Sequence, residues 1–367
     1  MRVFQVNDTA AQDLEADVSV AVRLEAQQQL IERQQRLFDA NKDLALSFAK
    51  LRAEYKDDIR YLVGPETMDQ NRERLDELLG RFSCAEAAFA RSPAGEKEAE
   101  HHFRKLRKEK HEFYHSLKFD AARAVQIRRK YVGRAREILD RGIEPDAELP
   151  EGADPKEPAP TSNPWTWVAP PYTSQWTHIA EDNGSRGRRS RSLSASSVTG
   201  EIALWNEMNL SGADDSDWSR INIMAEVQFW FRMPAAGLVE VWIRYQDINT
   251  DYTGRLRDES GCSDADIQQL SRAYLWTSGS TERYSTIVDY RRGEHEGSWA
   301  EPGPIGPGVI LSKHLFSNRS YAANEWVWVA VGIRDMNDFW VDDMSCRSTM
   351  RSQWFVDHVA IRSTGAP

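Results

Sequence analysis

Apolar and polar side chains alternate with two different periods along this chain, and the change of period divides it. From Ile221 the odd positions Ile221, Ile223, Ala225, Val227, Phe229, Phe231 and Met233 are apolar, while Asn222, Glu226, Gln228, Trp230 and Arg232 fall between them. A period of two marks a half-buried strand, because successive side chains leave a pleat on opposite faces. After Pro234 and Gly237 the alternation resumes with Val239, Val241, Ile243 and Tyr245 against Glu240, Trp242, Arg244 and Gln246. The simplest expectation is an antiparallel hairpin with Trp230 opposite Trp242 on its polar face. Two indoles on such a face either stack on a flat ligand or lie under another layer of protein, and burial is the expected outcome.

Further strands are expected at 202–206, 272–277, 284–291, 309–316, 325–334, 339–344 and 354–362. The run at 325–334 places Trp326 and Trp328 beside Val327, Val329 and Val331 in alternation. Many short strands separated by turns such as GPIGPG predict an antiparallel β-sandwich. With its Trp-rich strands and the closing WFVDHVAIRS, this half resembles jelly-roll sandwiches of the lectin and carbohydrate-binding type. That resemblance implies a glycan, receptor or neighbouring subunit as ligand, with Trp230, Trp242, Trp326 and Trp328 as the ligand or interface face.

The first 141 residues follow a seven-residue period instead. Leu30, Leu37, Leu44 and Leu51 form one seam, and Val20, Gln27, Gln34, Asn41, Phe48 and Tyr55 run beside it, polar first and apolar later. Polar residues at seam positions cost stability and fix register and partner number. A second segment carries Met68, Leu75, Phe82 and Phe89 seven apart, and a third, Phe103, Leu106, Lys110, Phe113, Leu117, Asp120, Ala124, Ile127, Tyr131, Arg134 and Ile138, steps by threes and fours with charged interruptions. The two long helices are expected to fold back on each other as a coiled-coil stalk, between which Gly64-Pro65 makes the first break. The expected organisation is α then β: a helical coiled-coil hairpin over 1–141, a Pro-rich acidic linker over 142–164, and the sandwich head over 165–367.

Composition sharpens the boundary. All 13 tryptophans lie between Trp165 and Trp354, and the front part is rich in Gln, Glu, Arg, Leu and Ala. A net charge of −10 argues against a general nucleic-acid binder. Neither a signal peptide nor a membrane-spanning run is read in the sequence, so the chain is expected to be soluble. Of Cys84, Cys262 and Cys346, only the last two could pair within the β half.

Candidate chemistry is sparse. His111-Glu112-Phe113-Tyr114-His115 resembles the zincin signature at those residues alone. Phe113 belongs to the apolar seam, however, so His111 and His115 point outward from a charged rod with no cleft to hold zinc. Asp247, Asn249 and Asp251 begin like a calcium loop, but Tyr252 stands where a glycine is required. Asp214, Asp215 and Asp217 form another acidic turn, and Arg186 to Arg191 carries four arginines without interleaved aromatics. His295 between Glu294 and Glu296 lacks a placed partner carboxylate. No catalytic residue and no cofactor is assigned. The expectation is a non-enzymatic, elongated structural or attachment protein, a homo-oligomer or part of a larger, virion-like assembly. The alternative is a purely structural assembly component with no small ligand.

Overall fold

A computed structural model describes residues 9–10, 17–67, 120–141, 143–147, 165–184, 187–210, 217–258, 264–294, 298–301, 307–342 and 344–364, with isolated positions between 69 and 117. The strands are β1 Thr9–Ala10, β2 Thr166–Ala169, β3 Ser174–Gly184, β4 Arg188–Ala195, β5 Glu201–Leu210, β6 Asp217–Arg232 and β7 Gly237–Asp247. They continue with β8 Asp251–Asp258, β9 Asp264–Thr277, β10 Arg283–Glu294, β11 Ser298–Glu301, β12 Ile310–Tyr321, β13 Trp326–Asp342 and β14 Met344–Thr364. Two long helices precede most of them, α1 Val20–Val63 and α2 Ala121–Arg141.

Two sheets face each other. One runs β10-β9-β13-β6-β3, antiparallel throughout. The other is built on β14, which pairs with β5 and then β2 along one edge, and with β8 and then β7 along the other. β4, β1, β11 and β12 extend it outward. The core between the sheets is made of the odd residues named from the sequence, Ile221 to Phe231 on β6, Val239 to Tyr245 on β7 and Val327 to Ile333 on β13. Tyr245 spans the layers by donating its hydroxyl hydrogen to the Gly332 carbonyl at 2.9 Å. At Gly332 itself a Cβ would collide with the Ala225 carbonyl, which requires glycine there.

The hairpin expectation is corrected here. β6 and β7 are not neighbours in one sheet; the chain arches at Pro234–Gly237 and carries β7 across to the opposite sheet. Parity was right, since the odd residues of both strands point inward, but one apolar core accepts two strands side by side or face to face equally well. Trp230 and Trp242 are therefore on the two opposite outer surfaces of the sandwich. Trp230 sits opposite Trp328 on β13, ring centroids 4.6 Å apart and edge to face. The segment at 339–344 is likewise not a separate strand, because β13 runs through it to Asp342.

The helices do not stand off as a free stalk. α1 starts at the N-cap Ser19, whose hydroxyl accepts from Val22 N, and ends at Gly64 with φ +92°. Its stripe Ala26, Arg33, Leu37, Leu44 and Phe48 lies along the outer face of the five-stranded sheet. α2 pairs antiparallel with the second half of α1: Lys130 and Tyr131 meet Asp58, and Arg134 meets Glu54. Leu44, Phe48, Leu51 and Tyr55 pack with Tyr131, Ala135 and Leu139 against Trp218 and Trp340 of the sheet. Phe48 stacks on Trp218 at 3.9 Å. The reason lies in the sheet's outer face, which is rich in indoles and in ion-pairing groups that need a cover. Residues 143–147 of the expected linker also dock: Glu144 and Asp146 receive Arg334 and Arg272, and Asp146 holds Thr286.

Candidate ligand-binding face

The outer surfaces of the two sheets differ in what lies over them. On the five-stranded sheet, Arg33 of α1 is fully buried against the strands. Its Nη1 lies 2.9 and 3.0 Å from the two Glu226 oxygens, and its Nε donates to Glu282 at 2.6 Å. The guanidinium is ringed by Trp176, Trp276 and Tyr274 at 4.8, 5.0 and 5.5 Å from their centroids. Burial works against its charge, but the two carboxylates outweigh burial and raise its pKa. Burial likewise opposes the Glu282 charge, and Arg33 overrides it, so the Glu282 pKa falls. Further along, Arg220 makes a two-pronged pair with Asp338 at 2.7 Å each, and Arg334 donates to Asn222, Glu144 and Tyr284. Trp230 packs with Val18, Val22 and Ala26 of the helical layer, with Trp326 and Trp328 half-buried beside it. Three of the four expected face residues are thus part of a lock between helix and sheet.

The fourth, Trp242, belongs to the opposite surface. Outward residues of β12, β7, β14 and β2 meet there in rows set by register: His314, Trp242, Ala360 and Trp167 form one, and Phe316, Glu240 and Arg362 the next. Trp165 precedes β2 and Trp167 lies within it, two residues apart; Val168 between the sheets shows the same alternation from the other side. Glu240 is buried at the centre. Arg362 donates to it through Nε at 2.6 Å and Nη2 at 3.1 Å, and His314 Nε2 lies 2.8 Å from it. Burial pushes the Glu240 carboxyl up, but the hydrogen bonds from His314 and Arg362 hold it below its usual range. Aromatic rings flank this ion pair. Trp242 stacks on His314 at 4.2 Å, and the Arg362 guanidinium lies 4.3 Å from the Trp165 ring centre. Trp167 meets His358 edge to face at 4.9 Å. Trp165 and Trp167 stay half-exposed, with Arg244, Gln246, Ser312 and His358 as a polar rim.

This arrangement offers flat apolar rings beside a fixed charged donor, suited to holding a ligand that is apolar on its faces and polar at its edges. Trp165 and Trp167 were not singled out in the sequence, although their spacing of two before a strand is the same signal that marked β6.

The other sequence candidates do not assemble. His111 and His115 lie outside the described residues; of the residues between them, Glu112 is exposed and Phe113 buried. Asp247 is buried and accepts from Thr250 at 2.7 Å, Asp251 is exposed, and Tyr252 is in the core, so the calcium-like loop turns its residues apart. Among the described residues no group of three or more His, Cys, Asp or Glu could hold a metal. Arg189 and Arg191 on β4 pair with Asp182 on β3, edge strand to edge strand across the two sheets. Cys346 is a free thiol whose pKa burial raises, and Cys262, Asp214, Asp215 and His295 lie outside the described residues. Among the described residues no helix is long and apolar enough to cross a membrane.

No family model matches the chain, and no curated protein matches it. Among solved structures, a family-61 carbohydrate-binding module with β-1,4-galactotriose aligns at 9% identity, covering 44% of this chain and 88% of that one, with a TM-score of 0.15. A xylan-binding domain of family 22 aligns at 15% identity over 51% and 95%, TM-score 0.11. A family-4 module aligns at 13% over 45% and 95%, TM-score 0.13. Scores this low set neither fold nor function.

Proposed function

We propose that this is a non-enzymatic attachment protein whose nine-stranded sheet binds a glycan on its outer face, while the helical layer braces the sandwich and serves assembly. The observation that carries the reading is the cluster of Trp165, Arg362, Glu240, His314 and Trp242 across two adjoining rows. Sugar rings present flat C–H faces that stack on indoles, and hydroxyl edges that take hydrogen bonds from a guanidinium held in place. Arg362 is held by Glu240 from below and covered by Trp165 from the side, so it costs little further ordering on binding.

The test is a glycan-array screen of the full chain, followed by calorimetry with the best hit on Trp165→Ala and Trp167→Ala. Each indole contributes about 0.5–1.5 kcal/mol beyond area, so each variant is expected to weaken binding up to roughly tenfold with little change in melting temperature. An array with no hit, or variants that bind as well as the parent, would refute the reading.

A further inference from the structure

α1 carries two apolar stripes, and the structure uses one. Ala26, Arg33, Leu37, Leu44 and Phe48 face the sandwich and α2. On another side, Val20, Leu24, Ile31 and Phe38 remain 72%, 61%, 58% and 61% exposed. At 3.6 residues per turn these four lie within about 40° of one another around the helix axis. Leu24, Ile31 and Phe38 recur every seventh residue; Val20, Gln27 and Gln34 do the same, offset from them by three or four. That is a coiled-coil seam, with one apolar series and one that turns from valine to glutamine.

The glutamines identify the partner. Gln28, Gln29 and Gln35 each donate to an acid four residues away on their own helix. Gln27 and Gln34, inside the seam, make no hydrogen bond among the described residues. A foreign apolar helix would bury those amides without partners, which is costly. An antiparallel copy would set them against Leu24, Ile31 and Phe38, with the same cost. A parallel, in-register copy places Gln27 against Gln27 and Gln34 against Gln34, where each amide can donate and accept, and it stacks the apolar residues on themselves.

We infer that the chain forms a parallel, in-register homodimer through the Val20–Phe38 face of α1. This names the partner for the assembly half of the proposed function and does not depend on the glycan half. Four such side chains expose on the order of 400 Å² per chain. A standard interface buries about 800 Å² per partner, so the dimer should be weak, with a dissociation constant in the micromolar range.

The full chain is to be measured by sedimentation equilibrium from low to high micromolar concentration, alongside Ile31→Glu/Phe38→Glu, Gln34→Cys and Glu32→Cys. The replaced side chains are partly or well exposed, so folding should survive, and circular dichroism checks this. The expected result is a concentration-dependent dimer that the double glutamate variant abolishes. Gln34→Cys should form a disulfide with its own copy under mild oxidation faster than Glu32→Cys, which points away from the seam. A monomer at every concentration, a dimer untouched by the glutamates, or faster cross-linking of Glu32→Cys would overturn the inference. Glycan binding measured on the same samples separates the two halves: a dimer without sugar binding sinks only the glycan reading, and sugar binding by a strict monomer sinks only this one.

Discussion

Removing the Arg33 side-chain charge tests whether the helical layer is locked to the sandwich. In Arg33→Met the aliphatic stem is kept while two charge-assisted contacts to Glu226 and one to Glu282 are lost. Glu226 is fully buried, so it becomes a buried carboxylate without a cation. Breaking such a pair from one side costs about 3–5 kcal/mol. Tyr274 and Gln228 still donate to Glu226, both at 2.6 Å, which places the expected loss near the lower end, about 3 kcal/mol. Lost stacking of the guanidinium against Trp176, Trp276 and Tyr274 adds up to about 2 kcal/mol. At about 1–2 °C per kcal/mol for a chain of 367 residues, the melting temperature should fall by roughly 3–10 °C. The double variant Arg33→Met/Glu226→Leu removes both charges and should recover most of that loss. Urea unfolding and thermal melts of the parent, both singles and the double close the cycle. A single variant costing less than about 1 kcal/mol, or a double as unstable as the single, would refute the lock.

Two titrations follow from the same burial. Asp335 lies between the sheets with neither carboxylate oxygen hydrogen-bonded, although Ser271 and Ser352 adjoin it, and burial raises its pKa to about 7. Its folded pKa exceeds the ordinary value of 3.8, so stability is full below about pH 4 and is lost as pH rises toward 7. Asp335→Asn should therefore be the more stable protein above pH 7, by up to about 4 kcal/mol, and should match the parent near pH 4; an equal margin at both pH values would contradict this. His178 behaves in the opposite sense: burial first, then Arg33 and Arg334, lowers its pKa to about 4 from 6.5. The stability it contributes is present above pH 6.5 and lost as pH falls through 4. NMR of its imidazole should give a midpoint near 4 that rises in Arg33→Met, and a midpoint indifferent to that substitution would argue against the influence of the Arg33 charge.

The sequence showed which residues meet in the core and concealed which strands adjoin. Alternation assigned Ile221 to Tyr245 to inward and outward positions correctly, because pleat geometry is local. Whether β7 pairs beside β6 or opposite it is decided by long-range hydrogen bonding, to which the spacing of Val239 or Trp242 is indifferent. The same holds for the helices. A heptad pattern does not say whether Leu37 and Leu44 meet another helix or a sheet, and here Leu37 meets the sheet while Leu44 meets both. Nothing in the pattern marks Arg33, because its partners Glu226 and Glu282 lie 193 and 249 residues away. On the candidate site, Trp242 was legible, and Trp165 and Trp167 were hidden at a strand only four residues long.

The position of β14 bears on how the protein comes to be made. It supplies the middle of its sheet, with β5 and β2 hydrogen-bonded to one edge and β8 and β7 to the other. A ribosome delivers it after all four. Until residues 344–364 emerge, those strands have no central template, and each holds an unpaired edge open to other nascent chains. Closure then depends on contacts between residues nearly two hundred positions apart, which slows folding. The sandwich must therefore form only once β14 has been made, and its most hazardous interval is the time before β14 arrives.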